Sequence, residues 1–282
     1  MTVSSIFLNG SKISKKSKLI KPGTPLLKLL TLLTAFLCCS QTEISAQTQI
    51  PVNKRKKILI VVSSQDKKGE PNITAGFWFP ELTHPLEVYD KEGYDIDIAS
   101  PKGGLPPFDG FNLTDPVNSW FWTNPKYRNK LGTTIKFSDV NPSNYIAIQM
   151  VGGHGPMFDF TDNKELHYIT RKIYENNGIV SAVCHGPAGL INLKLSNGKL
   201  LIDGKRITAF SAAEEQNRDF TRFVPFELEK KLKENGAVFE KAAEIFGVKV
   251  CTDSRIVTGQ NPASAHEFGE AVVAAIKSLQ QN

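Results

Sequence analysis

Short apolar runs that alternate with helical patterns constrain the fold of this chain more than any other sequence feature. The first run, Ile58 to Ser63, is continuous and bounded by polar residues, which is typical of a strand buried on both faces of a parallel sheet. Further strands are predicted at 95–99, 146–151, 179–184, 206–210 and 237–241, and helices at 80–92, 163–176, 225–235 and 263–279. This alternation predicts an α/β fold with a mostly parallel sheet covered by helices on both faces.

One segment, 103–141, does not follow the alternation. It is rich in Pro, Gly, Asn and aromatic residues and is too long for a plain connection, which is typical of lids and binding loops. Its aromatic side chains, Trp120, Phe121 and Trp122, either cover a pocket or anchor the loop on the body. Because we find no repeat, low-complexity tract or linker, we predict a single domain at 50–282 with this segment as an excursion.

The N-terminal 46 residues have the pattern of a secretory signal. Six lysines between positions 12 and 28 precede an apolar run at 29–39, and a polar stretch then reaches Ala46. The run is shorter than the roughly 20 residues of a membrane span, so we expect no stable membrane anchor. The sequence predicts export to the periplasm or the extracellular space. Lipid attachment at Cys39, an uncleaved anchor and a cytoplasmic location are the alternatives.

The formal net charge of +6 is concentrated at the N-terminus. Residues 1–57 hold ten Lys and Arg against one acid, so the remainder of the chain carries 24 basic and 27 acidic residues. The folded body is therefore slightly acidic, which argues against nucleic acid as a partner. Four Cys in 282 residues do not form a dense disulfide framework. Cys251, in an apparent strand at 248–252, is predicted to be a buried packing residue.

The strand predicted at 179–184 runs directly into the sequence Cys184-His185-Gly186-Pro187. Its glycines and proline allow a tight reversal into a helix, which is the pattern of a nucleophile elbow at the C-terminal end of a strand. We expect the helix N-terminus and the adjacent His185 to favour the thiolate of Cys184. A lone Cys at a strand end is usually a small buried hydrophobe, but this turn favours a nucleophile.

A second glycine-rich turn, 152–156, follows the strand predicted at 146–151. Because parallel strands bring their C-terminal ends to one edge, the N–H of Gly153 and the N–H of His185 are predicted to form an oxyanion hole. His154 is interpreted as a turn or pocket-lining residue. The remaining histidines, His84, His167 and His266, have no partner at metal-ligand spacing, so we expect no metal site.

These motifs resemble those of the ThiJ/PfpI family in the class I glutamine amidotransferase-like superfamily. The most similar branch contains heat-inducible chaperones and glutathione-independent glyoxalase III enzymes. The resemblance extends from about Lys57 to Leu279 and implies a flavodoxin-like three-layer sandwich. It rests on the motifs at 76–82, 84–85, 99–104, 152–156, 182–187, 207–210, 214–215 and 258–264.

The resemblance also implies roles for four side chains. Cys184 becomes the nucleophile, His185 its partner, and Glu215 the third member of the triad that orients His185. Glu81 becomes the pocket carboxylate that contacts the thiol. A carboxylate beside a thiol in a partly dry pocket tends to hold or share a proton, which suits acid/base chemistry. The alternatives are a dipole-stabilising acid at a helix N-terminus for Glu81 and a surface acid for Glu215, because Glu214 is equally available.

Three functions remain open at this point. The resemblance implies a cofactor-free, cysteine-dependent enzyme that converts small 2-oxoaldehydes such as methylglyoxal to D-lactate through a Cys184 hemithioacetal. A cysteine amidase or peptidase using the triad of Cys184, His185 and Glu215 is the second. The third is a stress chaperone or oxidation sensor without turnover. Because relatives commonly form homodimers, a homodimer is also expected from the resemblance.

Overall fold

The structure, a computed structural model, describes residues 57–67, 75–219 and 221–281. The predicted signal at 1–46 lies outside these residues. In the described ranges no helix has both the length and the apolar character needed to cross a membrane.

A seven-stranded sheet forms the centre of the molecule, and six of its strands are parallel to one another. Its spatial order is β10-β11-β7-β6-β1-β3-β5, with only the edge strand β10 antiparallel to its neighbour. Its strands are β1 (Lys57–Val61), β3 (Asp95–Ser100), β5 (Ile135–Lys136), β6 (Tyr145–Met150), β7 (Ile179–Val183), β10 (Val250–Asp253) and β11 (Ile256–Gly259). The predicted mostly parallel α/β sheet is confirmed.

Alternate residues of each central strand enter two separate cores. In β1, Ile58 and Ile60 face one core, and Leu59 and Val61 face the other; all four are fully buried. Helices cover both faces, giving three layers. They are α1 (Phe79–Lys91), α2 (Pro116–Thr123), α3 (Pro125–Gly132), α4 (Pro156–Asp159), α5 (Lys164–Glu175), α6 (Ala212–Asn217), α7 (Leu228–Glu234) and α8 (Ala265–Gln281).

Two predicted strands do not join the central sheet. The segments predicted at 206–210 and 237–241 contribute only β8 (Arg206–Ile207) and β9 (Val238–Phe239), which pair with each other in a separate two-stranded sheet. The chain leaves β8 early because the backbone N–H of Thr208 donates to the Thr258 hydroxyl. The helix predicted at 225–235 also begins later, at Leu228. Strand β11, which the sequence reading did not identify, takes the place beside β7.

The excursion at 103–141 folds into short elements that pack on α1. Asp115 caps α2 by accepting backbone N–H bonds from Val117 and Asn118, and it also contacts His84 of α1 at 2.9 Å. Phe121 is fully buried against Phe79, so this side chain anchors the segment on the body. A short parallel pair, β2 (Phe77–Trp78) with β4 (Phe108–Asp109), joins the start of the excursion to the entrance of α1.

Candidate active site

The site begins at the end of β7, where Cys184 leaves the strand in a left-handed conformation with φ of 60°. Its backbone N–H donates to the carbonyl of Gly259, and its carbonyl accepts from the N–H of Phe210. These two backbone hydrogen bonds hold Cys184 in a conformation that residues other than glycine rarely adopt, as in a nucleophile elbow. Gly186 is required two residues later, because a Cβ there would lie 2.3 Å from the Met150 carbonyl oxygen.

The side chains of Cys184, His185 and Glu215 form a continuous buried chain. The Cys184 Sγ lies 3.3 Å from Nδ1 of His185, and Nε2 of His185 lies 2.9 Å from Oε2 of Glu215. Each of the three is at most 4% exposed. Burial acts to raise the pKa of Glu215, but His185 and His154 outweigh it and hold this pKa at about 2. The carboxylate therefore stays ionised and can stabilise a proton taken up by His185.

Glu81, on the first turn of α1, is the acid that lies beside the thiol. The helix is fixed there because Gln149 donates its side-chain N–H to the Glu81 carbonyl and the Trp78 N–H donates to the Gly152 carbonyl. Burial raises the pKa of Glu81 to about 8, although the neighbouring Cys184 thiol and Gly152 N–H act to lower it. At neutral pH this carboxyl is mainly protonated, which suits a proton donor and carrier.

The expectation that the surroundings of Cys184 favour its thiolate is wrong. The chain after the elbow forms only a five-residue 3-10 turn, Gly186–Leu190, which is too short for a strong dipole. Burial raises the pKa of the thiol well above its ordinary value, and the charge of Glu81 adds to the shift. The thiolate therefore forms when His185 removes the proton and Glu81 is neutral.

The two backbone donors predicted as an oxyanion hole face the same sulfur. The N–H groups of Gly153 and His185 both act to lower the pKa of the Cys184 side chain. Gly153 adopts φ of 90°, and a Cβ on it would lie 2.5 Å from the backbone N of Trp78. This position can carry no side chain, so the turn places its N–H beside the reacting atom.

The two adjacent acids Glu214 and Glu215 have different roles. Glu214 accepts hydrogen bonds from the backbone N–H and the hydroxyl of Ser211, and its other oxygen accepts from Asn261. It completes a capping box on α6, a pattern that Ser211 followed three residues later by Glu indicates in the sequence. Only Glu215 is directed towards His185, so the two acids are not interchangeable.

His154 was predicted to be a turn or pocket-lining residue, but it lies directly beside Glu215 and His185. Its Nε2 is 3.8 Å from Oε1 of Glu215, and its ring centroid is 4.9 Å from that of His185. The ligand atoms of these three residues all lie within 4.8 Å of one another, so they could hold a metal ion. The spacing argument missed this set because the two histidines follow different strands. A metal ion bound there would occupy the groups that orient and ionise the thiol.

A cavity of about 450 Å³ opens over Cys184. Most of the residues that line this cavity were not predicted from the sequence to do so, among them Trp78, Asp109, Phe210, Arg218 and Phe246. Of the excursion at 103–141, Asp109 and Gly110 line this cavity, whereas Phe121 and Trp122 pack on the body. Local sequence does not place Phe210 beside Cys184, because the wall residues come from separate segments of the chain.

The other cysteine of the described chain, Cys251, is buried in β10, as predicted. Its Sγ donates to Oε2 of Glu240 at 3.4 Å, and burial raises the pKa of the thiol to about 11. This thiol is neutral at physiological pH, which agrees with a packing role.

Characterised relatives align with most of the chain. The protein named glyoxalase 3 of Candida albicans is 32% identical over 232 residues, which cover 79% of this chain and 98% of the relative. The glutathione-independent glyoxalase HSP31 of Saccharomyces cerevisiae is 33% identical over 243 residues, covering 79% of this chain and 99% of the relative.

Solved structures show the same relationship. Rapid Encystment Protein 24 kDa of Francisella tularensis superimposes with a TM-score of 0.75 at 39% identity, covering 78% of this chain and 99% of that one. Glyoxalase III from Candida albicans gives a TM-score of 0.71 at 32% identity, with 78% and 96% covered. Residues 73–275 match the DJ-1/PfpI family. The chain therefore belongs to the DJ-1/PfpI family.

Proposed function

We propose that this protein is a glutathione-independent glyoxalase that converts 2-oxoaldehydes such as methylglyoxal to 2-hydroxy acids. The observation that carries the proposal is the buried Cys184 thiol, which contacts His185 and lies beside the protonated carboxyl of Glu81. The names of the relatives from two yeasts support the same reaction.

In the first step, His185 takes the thiol proton and the sulfur attacks the aldehyde carbon. Glu215 stabilises the resulting imidazolium through its contact of 2.9 Å. The carbonyl electron pair moves to the oxygen, which the N–H groups of Gly153 and His185 stabilise beside the sulfur. The imidazolium of His185 then returns its proton to this oxygen, which gives a hemithioacetal that carries the former aldehyde hydrogen on the carbon bonded to sulfur.

In the second step, a proton moves from that carbon to the neighbouring carbonyl carbon through an enediol. The Glu81 carboxyl, whose pKa of about 8 lies near neutral pH, first gives its proton to the ketone oxygen, and the carboxylate so formed takes the proton from the carbon bonded to sulfur, which gives the enediol. Glu81 then delivers this proton to the former ketone carbon and takes up the proton that the hydroxyl on the sulfur-bearing carbon loses. The result is a thioester of a 2-hydroxy acid. Water then hydrolyses this thioester, releases D-lactate from methylglyoxal and restores the thiol. One carbon is oxidised and its neighbour reduced, so the reaction needs no redox cofactor.

The proposal is tested by measuring D-lactate formed from methylglyoxal without glutathione. We expect turnover by the reduced wild type and none by Cys184→Ala. Cys251→Ala is the matched control and should keep wild-type turnover, because its thiol lies in β10. The absence of D-lactate with wild-type protein shown to be reduced at Cys184 would refute the proposal.

Two alternatives are distinguished by the same variants. The contacts of His185 with Cys184 and Glu215 are also those of a cysteine amidase, which would hydrolyse amides and release no D-lactate from methylglyoxal. A chaperone that binds unfolded chains through apolar surface would keep its activity in Cys184→Ala.

The residues at 1–46 support export as a second element of the proposal. Expression of the full chain followed by fractionation and N-terminal sequencing tests it: a mature protein that begins near Gln47 outside the cytoplasm is expected. An intact N-terminus in the cytoplasm would support the alternative location. A homodimer stays a prediction from family resemblance, which mass measurement in solution tests.

A further inference from the structure

We infer that the pocket selects 2-oxoaldehydes with an extended apolar arm that ends in a carboxylate, and that Arg218 binds this carboxylate. The inference rests on the proposed glyoxalase function and concerns the part of the pocket beyond the reacting atoms.

The size of the pocket is the first observation. Its volume of about 450 Å³ lies in the range of about 300–1,000 Å³ in which much larger ligands bind. Methylglyoxal is a three-carbon compound and leaves most of this space to water. A substrate that fills the cavity therefore gains binding energy that methylglyoxal does not have.

A row of rings leads from the catalytic group to the rim. The ring centroid of Phe210 is 4.6 Å from that of His185, and the ring centroid of Phe246 is 6.2 Å from that of Phe210. Both aromatic residues line the pocket. A methylene chain laid along these rings is removed from water, which favours its binding. The row therefore matches an apolar arm that starts at the carbon attached to Cys184.

The row ends at a cation. The Cζ atom of Arg218 lies 4.8 Å from the ring centroid of Phe246, and Arg218 is part of the pocket lining. Stacking engages the planar face of a guanidinium, while its N–H donors lie in the plane and along the edge, where they can bind a carboxylate with two bonds. A ligand anion at the end of the row therefore meets a pre-oriented partner.

The backbone at Phe246 is strained in a way that supports this role. Phe246 adopts φ of 63°, a left-handed conformation that bulky residues rarely adopt. In this conformation the ring of Phe246 lies between Phe210 and Arg218.

The test compares ω-carboxy 2-oxoaldehydes of five to nine carbons with their methyl esters, with methylglyoxal as the reference substrate. We expect kcat/KM for the best acid to exceed that for its ester by about tenfold, which corresponds to about 1.4 kcal/mol. The preference should decrease as salt rises, because the guanidinium is exposed.

Three variants assign the effect to Arg218. Arg218→Gln should lose the tenfold preference through KM with kcat unchanged, because the contact is equal in ground and transition states. Arg218→Lys should recover part of it. Arg222→Gln is the matched control, since Arg222 is exposed and pairs with Asp219 at 3.5 Å outside the pocket lining. Arg222→Gln should turn over methylglyoxal as the wild type does.

A binding measurement separates failure of the inference from failure of the proposed function. Calorimetry with the corresponding 2-hydroxy dicarboxylic acid needs no turnover and should give binding that Arg218→Gln weakens about tenfold. Such binding without methylglyoxal turnover would refute the glyoxalase function but support the anion site. Equal affinity for acid and ester, or equal losses in the Arg218 and Arg222 variants, would overturn the inference.

Discussion

Replacing Glu81 by Gln should make the protein more stable in alkaline solution and nearly inactive. Glu81 is fully buried, and its pKa rises from 4.5 to about 8. Because the folded-state pKa is raised, the carboxyl takes up a proton on folding between pH 4.5 and about 8. Wild-type stability therefore falls as the pH rises through this window.

The size of the effect follows from the two pKa values. The raised pKa of Glu81 lowers the free energy of unfolding of the wild type by about 1 kcal/mol at pH 5 and by about 4 kcal/mol at pH 8. These values follow because one pKa unit corresponds to about 1.36 kcal/mol. Gln has no proton to take up, and any packing cost of its amide is the same at both pH values. The stability difference between variant and wild type should therefore change by about 3 kcal/mol, or about 6–12 °C in Tm.

The assay is thermal unfolding at pH 5, 6, 7 and 8, combined with D-lactate formation from methylglyoxal. We expect Glu81→Gln to lower kcat by about 10²–10⁴, the usual contribution of a positioned acid or base. Glu87→Gln is the matched control, because Glu87 lies on the same helix and pairs with Lys91 at 2.9 Å near the surface. It should change neither kcat nor the pH dependence of Tm.

Two results would refute this reasoning. If the Tm values of Glu81→Gln and wild type respond equally between pH 5 and pH 8, burial does not hold the proton on Glu81. If Glu81→Gln keeps wild-type kcat, the carboxyl does not carry the proton between the two carbons, and His185 must carry it alone.

Three further substitutions test the site. Glu215→Gln should lower kcat/KM about 100-fold or more by leaving His185 without its carboxylate. It should also cost up to about 3 kcal/mol in urea unfolding at pH 7, a loss that disappears as pH falls through the folded pKa of about 2; wild-type kinetics would contradict the triad. Glu214→Gln should cost about 1–2 kcal/mol through the cap yet keep kcat within about twofold, and a large loss of kcat would contradict its capping role. Gly153→Ala should cost about 3 kcal/mol, because a Cβ would lie 2.5 Å from the Trp78 nitrogen; unchanged stability would refute that clash.

Local sequence was sufficient for the central strands and for the elbow. A buried parallel strand needs apolar residues on both faces, so β1, β6 and β7 are visible as continuous runs. The elbow can be predicted because the left-handed turn at Cys184 is followed two residues later by Gly186, a position where only a glycine fits. The edges were less predictable: the segments at 206–210 and 237–241 are apolar enough for strands, yet they form only the small sheet of β8 and β9.

The choice between adjacent acids shows what a pattern can and cannot decide. The resemblance favoured Glu215 over Glu214 as the partner of His185. The structure gives the physical reason, because Glu214 binds the hydroxyl of Ser211 in the helix cap instead. The pKa of Cys184 was predicted in the wrong direction, because burial and the charge of Glu81 depend on residues about one hundred positions away. Electrostatics of this kind are set by distances between elements, which the sequence does not contain.

The sequence by itself determined the α/β class, the position of Cys184 at the end of a buried strand and the tight turn that follows it, because each depends on a local pattern of strand and turn. Only the tertiary structure decided how those groups act. It placed Glu81 against the thiol, brought His154 within 3.8 Å of Glu215, and assembled Phe210, Phe246 and Arg218 into one wall. The physical reason is that desolvation and charge interactions act through space, between side chains that separate loops bring to the same edge of the sheet.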